Sequence, residues 1–141
     1  MLDALKPGAD IVSEAEIEAV VRLFYGRVRA DARLGPIFAG AIGDDWEPHL
    51  QTMFQFWSSM LRGTGRYNGR PMPKHVALRP HVKPDDFLIW LDLFRTAARE
   101  ASNPEAASLF IARAERIADS FSSTMFFDPA AIAPKRPAPK A

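Results

Sequence analysis

The stretch Trp46-Glu-Pro-His49-Leu50-Gln-Thr-Met53-Phe54-Gln-Phe56-Trp57-Ser-Ser-Met60-Leu61 decides the fold class. Pro48 suits the first turn of a helix, where the amide proton it lacks would have no intrahelical partner. From there Leu50, Met53, Phe54, Phe56, Trp57, Met60 and Leu61 recur at helical steps, too many for one narrow stripe. A helix apolar around so much of its circumference is a buried one. It therefore predicts neighbouring helices on several sides.

Upstream, Ser13-Glu-Ala-Glu16 has the form of a capping box, and Ile17, Val20, Val21, Phe24 and Val28 follow on one helical face. Gly35-Pro36 is read as the turn that ends this helix, with Ile37-Phe38 as an apolar pair in the connection. Downstream, residues 63 to 84 hold three glycines and four prolines, Pro71, Pro73, Pro80 and Pro84, so any helix there is short. A connection this long in a compact domain is usually functional or disordered. A third helix is expected after Pro84, with Asp85 and Asp86 at its positive end and Phe87, Trp90, Leu91, Phe94 and Ala98 on its buried face. Asn103-Pro104-Glu105 announces a fourth, with Phe110, Ala114, Ile117, Phe121 and Met125 as its stripe. No stretch alternates as a half-buried strand does. The expected class is all-α, with an N-terminal extension over 1–12, one domain over 13–127 and a flexible, proline-rich tail over 128–141.

Composition removes whole classes of function. Eighteen Lys and Arg face seventeen Asp and Glu, a net charge of +1, too even to argue for nucleic acid or an anionic membrane. Cysteine is absent, which excludes a disulfide framework, a thiolate nucleophile and a thiolate metal site. The opening residues lack a secretory pattern and no run of about 18 apolar residues occurs, so a cytoplasmic location is expected. No phosphate loop, zinc helix, nucleophile elbow or calcium loop is present.

A constellation remains. Tyr25 lies four residues after Val21 and three before Val28, which turns its phenol inward. His49 shares a helical face with Met53, Phe56 and Trp57, and Trp90 sits mid-stripe on the third helix. Each alone is ordinarily a core group with a satisfied polar tip. Together they bring three polar tips from three helices toward one place. Opposite them, the loop Tyr67-Asn-Gly-Arg-Pro-Met-Pro-Lys-His75 carries an imidazole, the side chain that binds a metal while neutral near pH 7. Facing an aromatic-lined cleft from a constrained loop, His75 is a candidate ligand of a haem iron. His81, six residues on across Pro80, is poorly spaced to join it.

These residues, in the order Leu23-Phe24-Tyr25-Gly-Arg-Val-Arg, Leu34-Gly-Pro-Ile-Phe38, Trp46 with His49, Phe56-Trp57, Arg66-Tyr67-Asn-Gly-Arg-Pro71 with Lys74-His75, and Phe87-Leu-Ile-Trp90-Leu-Asp-Leu-Phe94, resemble the truncated haemoglobins, group III. The resemblance runs from about residue 14 to residue 126. It implies a shortened globin fold, two antiparallel helix pairs sandwiching haem b. It also implies that His75 is the proximal iron ligand, that Phe38 packs on the haem ring, and that Tyr25, His49 and Trp90 are the polar distal residues. Met53 stands at a distal position more often held by a branched aliphatic residue, and Trp57 is expected along the cofactor. Lys74, Arg66 and Tyr67 are candidates for the haem propionates, although a solvated loop rim explains them equally well. The implied ligands are dioxygen, carbon monoxide or nitric oxide. Peroxide reduction or nitric oxide oxidation is the alternative, and turnover would need a separate reductase. A cofactor-free helical interaction module, its tail binding a partner, is the alternative of another class.

Overall fold

In the computed structural model the described residues are 7–67, 69 and 81–125. Five α-helices carry them: α1 (Glu14–Ala30), α2 (Leu34–Ile42), α3 (Glu47–Trp57), α4 (Pro84–Ala101) and α5 (Pro104–Met125). A 3-10 turn, Pro7–Asp10, precedes α1, and a π-helical segment, Ser58–Arg62, extends α3. No strand occurs among the described residues.

The helix starts follow local chemistry. Ser13 and Glu16 close the expected capping box, with Glu16 N–H donating to Ser13 Oγ at 3.0 Å and Ser13 N–H to Glu16 Oε1 at 3.1 Å. Asn103 Oδ1 accepts the Ala106 amide at 2.9 Å at the head of α5. The Asn103 side-chain amide also donates to Glu16 Oε2 at 2.9 Å and Ile11 O at 3.1 Å, so one cap ties α5 to the front of α1.

The stretch 34–42 departs from the sequence reading. It is a helix, not a connection. Asp31 Oδ1 accepts the amides of Arg33 (2.9 Å) and Leu34 (2.8 Å), which starts a new helix. Pro36 then falls in its first turn, where it is tolerated. Gly35 serves close approach, since a Cβ there would stand 2.7 Å from the carbonyl oxygen of Arg29. The π-helical segment was equally hidden from periodicity, and Gly63, in the left-handed region at φ 73°, ends it.

The core is one cluster. α1 packs on α2, α3 and α4, and α4 packs on α5. Val20, Val21, Val28, Ala97, Ala98, Phe110 and Ala114 are fully buried where these helices meet. Trp57 of α3 stacks on Phe94 of α4, centroids 5.1 Å apart, and meets Phe110 of α5 at 5.4 Å. Two helix pairs, α1 with α3 and α4 with α5, thus share an aromatic centre. Within the stretch expected as an extension, Val12 is fully buried, and the Arg62 guanidinium donates to the carbonyls of Ala9 (2.9 Å) and Val12. No described helix is long and apolar enough to cross a membrane.

Candidate functional site

A cleft runs between the helix pairs. α1 contributes Phe24 and Tyr25, α2 Leu34, Ile37 and Phe38, and α3 His49, Met53, Phe56 and Trp57. The far wall is Val82 with Asp86, Phe87, Trp90 and Phe94 of α4, and Ile117, Phe121 and Met125 of α5 close it. The lining is overwhelmingly apolar, with a few polar tips, the usual make-up of a cofactor site.

Helical register explains how these side chains come to line the cleft. Tyr25 turns inward because its neighbours at three- and four-residue steps, Val21 and Val28, face the core. Its ring lies edge-on to Phe24 (4.8 Å), to Phe38 (6.1 Å) and to Trp46 (6.2 Å). His49 meets Tyr25 perpendicularly with ring centroids 5.0 Å apart. Trp90 stacks on Phe94 at 5.9 Å and stands edge-on to Phe24 at 5.6 Å. Burial pushes the Tyr25 phenol well above the usual tyrosine range, so it remains a protonated donor throughout the neutral region.

Tyr25, Phe38, His49, Met53, Trp57 and Trp90 therefore line one cleft. Arg66 and Tyr67 are not among its described lining. Arg66 pairs with Glu14 at 3.2 Å, and the Tyr67 ring packs edge-on to Phe56 at 5.2 Å, its backbone amide donating to Ser59 Oγ at 2.8 Å. Lys74 and His75 lie outside the described residues.

Two features escaped the sequence reading. The first is that the α5 stripe lines the cleft with Ile117, Phe121 and Met125; periodicity reports the inward face and not whether that face meets protein or a cavity. Asp86 is the second. It reads as an acid at a helix start, and its carboxylate does accept the Lys83 amide at 2.7 Å. It also takes a two-point contact from Arg33, Nε to Oδ1 at 2.7 Å and Nη2 to Oδ2 at 2.8 Å. The Arg33 guanidinium holds its carboxyl below the usual range. No spacing rule links residues 53 apart.

A profile of the bacterial-like globins matches residues 10–123. The group 3 truncated haemoglobin of Campylobacter jejuni is 36% identical over 120 residues, covering 83% of this chain and 94% of that protein. This chain belongs to the group III truncated haemoglobins. The crystal structure of a group III truncated haemoglobin from Campylobacter jejuni superposes with a TM-score of 0.78 at 36% identity, over 82% of this chain and 93% of that one. The two-over-two helical sandwich is thus the truncated globin fold, and globins are haem-binding proteins. The residues present fit that group. A haem is a flat, mainly apolar ring, and the cleft offers aromatic and aliphatic walls with a few polar side chains among them. Phe38, Met53, Trp57, Phe87 and Trp90 line the cleft and would be the residues to hold such a ring.

Proposed function

We propose that this truncated haemoglobin binds dioxygen, and diatomic ligands like it, at a haem b seated in the cleft, with His75 as the proximal ligand and Tyr25, His49 and Trp90 as the distal polar set. One observation carries the reading: Tyr25, His49 and Trp90 line the same apolar cleft from three different helices. When bound, the haem, held through His75, would supply an iron able to take up a small diatomic ligand.

The chain's own residues supply the rest. Buried donors are stronger in an apolar cleft than in water, because nothing screens them. Tyr25, kept protonated by burial, and Trp90, whose indole nitrogen can only donate, suit a small ligand with a partly negative oxygen. The apolar walls exclude the water that would otherwise solvate and release it. Lys74 and Arg66 are proposed to reach the haem carboxylates, with Arg66 exchanging its present partner Glu14 for them.

The visible absorption spectrum tests this reading, taken on the wild type beside His75→Ala. A Soret band that shifts with dioxygen or carbon monoxide, and is lost or altered in the variant, is the expected result. A wild type that takes up no added haem overturns it. A variant with an unchanged spectrum removes His75 as the ligand.

A further inference from the structure

Asp86 is the one buried charged side chain among the described residues, 6% exposed, and it borders a cleft that is otherwise nearly all apolar. A carboxylate in such a place is costly unless paired and hydrogen-bonded. Here it is both. Arg33 meets it with two parallel bonds, the Lys83 amide donates a third, and Arg33 Nη2 reaches on to the His81 carbonyl at 3.4 Å.

What the pair joins matters more than its strength. Arg33 immediately precedes α2, which sends Leu34, Ile37 and Phe38 into the cleft. Asp86 sits in the first turn of α4, flanked by Val82 and Phe87 on the opposite wall. A two-point guanidinium–carboxylate contact sets angle as well as distance. The Arg33 side chain is 42% exposed and that of Asp86 7% exposed, so the pair stands where the cleft meets solvent.

We infer that the Arg33–Asp86 pair is a latch fixing the α2 wall and the α4 wall relative to one another, and that both are positioning residues for a haem held between them. The inference rests on the haem reading above. Releasing the latch lets the walls part, and the haem escapes faster even when the change is made at Arg33, which does not line the cleft.

The test is the rate of haem transfer from the reconstituted holoprotein to excess apomyoglobin, with Soret circular dichroism as a readout of haem seating. The variants are D86N, R33Q and R33K, beside A112G, an exposed α5 site that weakens the fold without lining the cleft. The unfolding midpoint of each apoprotein is measured in parallel. D86N and R33Q are expected to lose haem about tenfold faster with altered Soret dichroism. R33K, which keeps the charge but not the fork, falls between them and the wild type, and decides the matter if D86N does not fold. Wild-type rates in D86N and R33Q overturn the inference. So does an acceleration that A112G matches at equal loss of stability, because that is the mark of a merely structural pair. Failure of the wild type to take up haem is a separate result, and it removes the underlying reading and this one together.

Discussion

Tyr25 and Trp46 show how one helix position differs from the next in what burial asks of it. Trp46 is 6% exposed and stacks on Phe38 with ring centroids 6.4 Å apart, while the Arg29 guanidinium sits 4.8 Å above its outer face. That contact is packing plus a cation over a ring, and it asks for no chemistry. Tyr25 lies equally deep, yet it lines the cleft. Tyr25→Phe removes one donor and little volume. If the hydroxyl donates to bound dioxygen, the bond is worth about 1–3 kcal/mol, so release should speed by about tenfold or more in stopped-flow or flash-photolysis traces. An unchanged rate would remove Tyr25 from the distal set. Because burial keeps the phenol protonated, wild-type release should show no step from phenol ionisation between pH 6 and pH 9. Residue spacing alone predicted the inward direction of Tyr25, His49 and Trp90. It carried no information on Arg33, whose partner is 53 residues away.

At the scale of elements, α2 is where sequence and structure parted. Gly-Pro is ordinarily a breaker, and here it opens a helix because Asp31 caps the chain just before it. Two glycines of α2 give a paired prediction. Gly35→Ala would press a methyl against the Arg29 carbonyl, a backbone atom that cannot swing aside. It should cost about 1–3 kcal/mol by overpacking. Gly40→Ala meets no atom within 4 Å and should stabilise the helix by about 0.5–1 kcal/mol. Urea unfolding of the two variants checks both signs. Equal midpoints would mean that the α1–α2 corner is looser than its geometry indicates. The helices α1, α3, α4 and α5 were legible because their caps and stripes are local; Pro104 stands at its first position as expected, and Pro84, expected just before its helix, opens it.

For the whole molecule, acid stability should follow the buried carboxylate more than the exposed ones. Arg22 holds Glu47 down to about 2, yet that pair lies open to water, where salt screens it, so its shift stands for little stability. Asp86 is lowered by Arg33 inside the fold. A carboxyl whose folded value is depressed stabilises the protein above its unfolded value, about 3.9 for aspartate, and loses that contribution as pH falls through the folded value. The thermal midpoint of the wild type should therefore drop as pH falls below about 4, and the drop should be shallower in Asp86→Asn. Parallel acid limbs in the two proteins would mean that Asp86 gains nothing from its pairing.

The all-α class, the order and starts of four helices, and the inward-facing tyrosine, histidine and tryptophan were determined by sequence alone. The reason is that helix periodicity, capping and proline chemistry act over three or four residues, a range within which spacing is geometry. Tertiary structure alone decided that these groups line a cavity and not a solid core. It also decided that α5 supplies one of the cavity's walls, and that Arg33 and Asp86 join its two sides. Those facts depend on how helices far apart in the chain come to lie together, and a one-dimensional pattern records which face of a helix avoids water but not what that face will meet.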